Sequence, residues 1–367
     1  MRIGVDAREW APGKHTGIGR YLETVLRRAL DARPAWRWTL FLHPGYERRV
    51  TGDSIAYLEM PMAVTPIVDQ RTIPSLLRAD PHDVFFSPYP KGPWNAPCPT
   101  IVVAHDMHPL VLLAGQGGLS TLPRLWFRWY IGKSLRRASR VVTVSEASAN
   151  DIVDCLGVGR DRLTVIHEEV DARFLGLRSE GTLEALGVRS PYFLAVGRIC
   201  PQKNQETILR AWARTESDAD GARLVFAGSG PDRERLESLA GQLGVSDRVV
   251  WAGGVPDDAL AELYRGATAL LQASVIEGFG LPVAEAMAMG IPVVVSSGGS
   301  LPEVAGGAGP VLAADDVEAW AAEMQRFLAD DIYRDDWVAK VRIRARHFSA
   351  ERTTDRLLDL IEATAKA

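Results

Sequence analysis

Cysteine is scarce: Cys98, Cys155 and Cys200 are the three in a chain of 367 residues. They are odd in number and scattered, and none forms a Cys-x-x-Cys pair, so neither a disulfide framework nor a zinc site is indicated. A reducing, cytoplasmic compartment is the expectation. Long apolar runs are missing as well. No stretch approaches the roughly 18 apolar residues that a spanning helix needs. Met1-Arg2-Ile3-Gly4-Val5-Asp6 puts a charge where a signal peptide needs its apolar run. Any meeting with a membrane is therefore expected from the side, at its inner face. The chain also lacks an excess of either charge. Lys plus Arg number 42 against 46 for Asp plus Glu, a formal charge of -4. That argues against nucleic acid as a partner, which needs a net basic face to replace counterions.

What is present is an ordinary globular composition, 47% hydrophobic and 24% charged, with length enough for two domains. Short apolar runs alternate with amphipathic stretches. Residues 3–7, 39–42, 84–86, 100–104 and 140–144 read as strands, and their continuous apolar character predicts burial on both faces of a parallel sheet. A second series follows at 192–196, 223–227, 248–252, 267–272 and 291–296. The polar stretch between them is read as a linker. The expected organisation is an α/β domain over 1–170, a linker over 171–190 and a second α/β domain over 191–347. A final helix over 348–367 has Ser349 as its N-cap. In such a pair of βαβ domains the ligand site lies in the crevice at the strand ends.

Four constellations carry chemistry. The first is Glu277-Gly278-Phe279-Gly280-Leu281-Pro282-Val283-Ala284-Glu285. Its glycines let backbone N–H groups approach a ligand, and Pro282 suits a helix start. The two carboxylates suit sugar and ribose hydroxyls; the bland alternative is a loop charge and a helix-dipole partner. The second is Gly197-Arg198 with Lys203-Asn204, two cations at a strand's carboxyl end that suit a diphosphate, against the alternative of solvated surface charge. The third is Thr16-Gly17-Ile18-Gly19-Arg20-Tyr21, which opens a helix but lacks the last glycine of a dinucleotide fingerprint. The fourth is His105 at the end of the 100–104 strand, a candidate acid, base or sugar contact that could equally be a structural hydrogen-bonder.

Two further features bear on metals and membranes. Asp218-Ala219-Asp220 is the one Asp-x-Asp and sits in a polar stretch, so a metal requirement is not indicated. Residues 124–140 mix Arg124, Arg128, Lys133, Arg136, Arg137 and Arg140 with Trp126, Phe127, Trp129 and Tyr130. This pattern suits an anionic membrane surface; the alternative is a helix with its aromatics packed inward.

Together these residues resemble the retaining glycosyltransferases of family 4, with the two-domain GT-B fold. The resemblance rests on the glutamates at 277 and 285, the Gly-Arg…Lys-Asn run at 197–204, the Gly-Ile-Gly-Arg-Tyr loop at 17–21, His105, and Val144-Ser145-Glu146-Ala147-Ser148. It implies two Rossmann-like domains facing each other across a cleft, with the final helix packing back on the first. Arg198 and Lys203 would hold the donor diphosphate, with Gly197 beside them. Glu285 would bind the ribose, and Gly254 and Val255 would meet the base. Glu277 and the backbone of Gly278, Phe279, Gly280 and Leu281 would hold the hexose. Gly17 and Ile18 would lie close to the donor, and His105 near the reacting carbon. At 167–169 the chain departs from the family, with His-Glu-Glu where Pro-Asn-Gly is common.

The function implied is retaining transfer of a hexose, without metal or other cofactor, to a glycan or lipid-linked acceptor of surface polysaccharide. The loop at 17–21 resembles that of mannosyl- and rhamnosyltransferases, which favours GDP-mannose over UDP- or dTDP-sugars. A sugar-nucleotide epimerase and a non-catalytic sugar-nucleotide-binding protein are the rival readings.

Overall fold

The computed structural model describes residues 1–13, 16–105, 121–215 and 221–367, with the backbone alone over 121–124. The chain divides into two compact units, residues 1–169 with 350–367, and residues 170–349.

The first unit is built on seven parallel strands: β1 (Arg2–Asp6), β2 (Arg37–Leu42), β3 (Ile55–Glu59), β4 (Val84–Ser87), β5 (Thr100–Ala104), β6 (Arg140–Thr143) and β7 (Leu163–Val165). Their order is β3-β2-β1-β4-β5-β6-β7. Every residue of β4 and β5 is buried, as expected of central strands covered on both faces. The edge strand β3 is half-exposed and β7 has three residues. β3 has an apolar run, Ile55 to Leu58, but buries none of it fully, and β7 is too short and interrupted by Thr164 to show one. Helix α1 (Gly17–Ala32) buries Leu22, Val25, Leu26 and Ala29, one stripe at helical spacing. The Thr16 hydroxyl caps it by accepting from the Gly19 N–H at 3.1 Å. Helices α2 (Thr121–Arg137) and α3 (Glu146–Leu156) follow, the second capped by Ser145 and ended by Gly157 in the left-handed region.

The last helix, Thr354–Lys366, buries Leu357, Leu358 and Ile361 in the same core as α1, and Arg28 meets Asp355 at 2.6 Å. It does not start at Phe348, and Ser349 is not its cap. Residues Arg346–Phe348 form a short 3-10 turn, and the Ala350 carbonyl then accepts from the N–H groups of Thr353 and Asp355. That turn consumes the residues that would have been the first helical ones.

The second unit has six parallel strands, β8 (Tyr192–Val196), β9 (Arg223–Ala227), β10 (Val249–Gly253), β11 (Ala269–Gln272), β12 (Val293–Ser296) and β13 (Val311–Leu312), in the order β10-β9-β8-β11-β12-β13. Helices α4 (Gln205–Arg214), α5 (Asp257–Gly266) and α6 (Leu281–Ala288) follow β8, β10 and β11. Trp212, Trp320 and Phe327 cover Phe193, Leu224, Phe226 and Leu271. Residues 171–190, read from sequence as a linker, carry two short helices, Ala172–Gly176 and Thr182–Ala185, within this unit. Phe174 packs edge-on against Tyr264, and Arg265 donates to the carbonyls of Leu175 and Leu177 at 2.9 and 2.6 Å. One aromatic ring and two carbonyls tie down a stretch whose composition is polar.

Candidate active site

In the second unit, two loops at the carboxyl ends of neighbouring strands β8 and β11 are joined into one site. The Gln202 side chain donates to the Ile276 carbonyl at 3.2 Å, and Asn204 to the Ala273 carbonyl at 3.2 Å. The Val275 N–H donates to the Gln202 carbonyl at 2.9 Å. Between these links Lys203 Nζ reaches Glu277 Oε2 at 2.5 Å, both side chains mostly buried. Ser274 donates to the same oxygen at 3.0 Å, and the Gln272 amide approaches it at 3.4 Å. Lys203 and Glu277 are thus brought together as a pre-set pair rather than two independent surface charges. Arg198 is exposed at the mouth of the first loop, and Gly197 lies beneath the Lys203 chain, its absent Cβ 3.7 Å from Cε. A cation pair so placed suits a diphosphate.

The Glu277–Gly280 turn is fixed from behind. Ser300 donates to the carbonyls of Glu277 and Phe279 at 3.0 and 2.8 Å. Gly299, at φ +59°, comes so close that a Cβ there would lie 2.4 Å from the Glu277 oxygen. Gly280 has φ +94° and Leu281 and Pro282 start α6. Glu285 lies one turn into α6, buried, and accepts from the Tyr264 hydroxyl at 2.8 Å. Gly278 and Phe279 are buried in the turn, and Val255 is half-buried after β10. Tyr264, Gln272, Ser274 and Ser300 escaped sequence reasoning. Each is an ordinary residue of a strand, helix or loop until the fold delivers it to a glutamate.

In the first unit, His105 directly follows β5. Its Nδ1 lies 2.8 Å from Glu168 Oε1, and the Tyr21 ring meets it edge-on at 4.6 Å between centroids. Among the described residues its Nε2 is buried without a hydrogen-bond partner. Glu168 entered sequence reasoning only as a departure from a family pattern; its neighbour Glu169 accepts from the Thr354 hydroxyl of the last helix. At the start of α1, Gly17 is exposed and Ile18 half-buried. Thr16, besides capping, donates to Glu9 Oε1 at 2.7 Å. Among the described residues, a Cβ on Gly17 would meet nothing within 4 Å.

Asp106 and Asp218-Ala219-Asp220 lie outside the described residues, as does the Arg124 side chain. Among the described residues no cluster of three or more His, Cys, Asp or Glu is arranged to hold a metal ion, and no helix is long and apolar enough to cross a membrane. On α2 the aromatics divide. Tyr130 is buried, whereas Leu125, Trp126, Phe127 and Trp129 are exposed alongside Arg128, Arg136 and Arg137.

The family model described as Glycosyltransferase Family 4 matches residues 17–174, and that described as Glycosyl transferases group 1 matches residues 184–344. The O-antigen chain mannosyltransferase B of Escherichia coli is 31% identical over 236 residues, 62% of this chain and 61% of that one. The chain spans about half the length of the curated relatives it matches. Sucrose-phosphate synthase from Thermosynechococcus elongatus has a TM-score of 0.78 at 20% identity, covering 99% of this chain and 98% of that one. The Anabaena protein HepE, solved in complex with UDP and glucose, has a TM-score of 0.74 at 18% identity, covering 99% and 100%. These likenesses carry the fold, which is GT-B.

Proposed function

The chain belongs to the group 1, family 4 glycosyltransferases, and on that basis we propose that it moves a hexose from a nucleoside-diphosphate sugar to a saccharide or lipid-linked saccharide acceptor, with retention. The observation that carries this reading is the Lys203–Glu277 pair, clamped between the loops after β8 and β11. The leaving group is a nucleoside diphosphate, so the main electrostatic task is to stabilise charge growing on the bridging oxygen. Preorganised cations do this without reorganising at the moment of reaction. Arg198 and Lys203 take that role and stand in for a metal ion. Glu277 holds both Lys203 and the hexose hydroxyls, Glu285 takes the ribose, and His105 contacts the hexose near the reacting carbon. The sequence offers no convincing carboxylate nucleophile, so the leaving phosphate itself assists deprotonation of the acceptor on the same face. A trapped glycosyl-enzyme intermediate would overturn that route.

GDP-mannose is the favoured donor. The loop at 17–21 and the E. coli mannosyltransferase relative support it; at 18% identity HepE carries only the fold. The exposed aromatic and basic residues of α2 support peripheral contact with an anionic bilayer, where a lipid-linked acceptor resides. Vesicle co-sedimentation that is unchanged when Arg128, Arg136 and Arg137 are replaced would overturn it.

The first test is thermal stabilisation by a panel of GDP, UDP and dTDP and their sugars, with and without EDTA, followed by transfer assays with the stabilising donor. A ligand bound to the native state raises the midpoint by mass action. One base that stabilises equally with EDTA present supports a metal-independent transferase. Conversion of the donor without an acceptor would point to an epimerase, and binding without turnover to a non-catalytic protein.

A further inference from the structure

We infer that Glu168 is a positioning residue for His105, holding its imidazole as the Nδ1–H tautomer so that Nε2 accepts a hydrogen bond from a hydroxyl of the transferred sugar. The inference rests on the transferase reading for the identity of that hydroxyl, and on geometry for everything else. Glu168 Oε1 lies 2.8 Å from His105 Nδ1, with the two side chains 17% and 10% exposed. An ionised carboxylate can only accept, so the proton of a neutral imidazole facing it sits on Nδ1. Nε2 then carries the lone pair. It is buried and lacks a partner among the described residues, a state that costs free energy unless a ligand relieves it. The Tyr21 ring lies edge-on to the imidazole, at 4.6 Å between centroids and 81°.

The backbone explains how the carboxylate gets there. His105 follows β5 and Glu168 follows β7, with β6 lying between those strands in the sheet. The segment after β7 is pinned on its other side, because Glu169 accepts from Thr354. The His-Glu-Glu run therefore uses its first carboxylate to orient a histidine and its second to hold the last helix. Both tasks belong to side chains that the family's common Pro-Asn-Gly does not supply in this form. An oriented imidazole backed by a carboxylate is the arrangement that fixes tautomer and direction wherever one nitrogen must meet a substrate.

The test uses the full chain and the variants Glu168→Leu, Glu168→Gln and His105→Gln. Long-range ¹H–¹⁵N spectra of ¹⁵N-histidine protein, with His105 assigned by difference from His105→Gln, read the tautomer directly. The Nδ1–H form is expected in the wild type and its loss in Glu168→Leu. In steady state with the stabilising donor, kcat in Glu168→Leu is expected to fall about 10- to 100-fold, with KM for donor within about twofold. Glu168→Gln keeps the shape and can present either its carbonyl or its amide, so it falls between the two and controls for folding. An Nε2–H wild-type ring, or a tautomer indifferent to Glu168→Leu, overturns the inference. So does an unchanged kcat in Glu168→Leu when His105→Gln is impaired. If no donor binds or turns over, the transferase reading fails, while the spectra still decide whether Glu168 sets the ring.

Discussion

Lys203 and Glu277 stand 74 residues apart in sequence, and the ammonium of one lies 2.5 Å from the carboxylate of the other. The pair forms because β8 and β11 are neighbours in the sheet, so that the loops leaving their carboxyl ends share one space. Each residue holds the other ready: the carboxylate keeps the cation extended over Gly197, and the cation keeps a mostly buried carboxylate compensated.

Lys203→Ala is therefore expected to lower kcat/KM by about 10²- to 10³-fold, the scale for removing one preorganised charge at a leaving group. Nucleoside diphosphate should also bind more weakly, because the cation facing it is gone and Glu277 is left unpaired. Lys203→Arg should recover only part, since a planar fork does not fit where a point charge sits. Isothermal titration with the diphosphate and steady-state kinetics check this; wild-type affinity in Lys203→Ala would remove Lys203 from the site.

Two glycine substitutions should separate stability from function. Gly228 has φ +144°, and a Cβ there would fall 2.0 Å from the Gly197 carbonyl oxygen. Gly228→Ala is expected to destabilise the protein by about 2 kcal/mol or more, through a strained backbone and a displaced Gly197 loop. Among the described residues Gly17→Ala meets no neighbour within 4 Å, so its stability should stay within about 0.5 kcal/mol of wild type, while donor turnover falls if the donor approaches that loop. Urea unfolding together with transfer rates distinguishes the two; a stable Gly228→Ala would contradict the close approach.

The first unit contains a buried ionic cluster. Arg8 reaches Asp6 at 2.5 Å and also pairs with Asp69, and Tyr130 donates to Asp69 at 2.6 Å. Burial works against the Asp6 carboxylate, yet Arg8 holds it below the usual range; burial pushes Asp69 up despite Arg8. Arg8→Met leaves two buried carboxylates without their cation and is expected to cost about 3–5 kcal/mol at neutral pH. In the variant both folded-state pKa values lie above the unfolded ones, so the deficit is greatest at pH 7 and shrinks towards pH 4 as the carboxyls take up protons. Denaturation of wild type and variant at both pH values checks this, and a deficit that grows on acidification would refute it.

Burial, with help from Asp83, pushes the Cys98 thiol up to about 11. Its thiolate fraction at pH 8 is then about 100-fold below that of the unfolded chain. Alkylation mapped by peptide should be correspondingly slow in the native protein and fast in urea. Because the folded pKa is the higher one, this thiol's contribution to stability is complete below the unfolded value and is lost as pH rises through about 11. Equal native and unfolded alkylation rates would contradict it.

Features that depend on short range are legible in the order of residues. Buried central strands must be apolar throughout, so β1, β4, β5, β8 and β12 were legible as runs, and glycines beside Pro282 announced a loop opening a helix. Edge strands such as β3, β7 and β13 are short or half-exposed, and a brief apolar stretch of that kind does not stand apart from loop sequence. The start of the last helix was misplaced because a turn over 350–353 is chosen by backbone hydrogen bonding, not by the presence of a capping serine. Partner choice, by contrast, is a property of the folded chain. Lys203 with Glu277, Tyr264 with Glu285, Glu168 with His105 and Arg8 with Asp69 are separated by 74, 21, 63 and 61 residues. Which of many carboxylates meets a given cation, hydroxyl or imidazole is set by strand order and register, which place distant loops at one sheet end. No local pattern encodes that order.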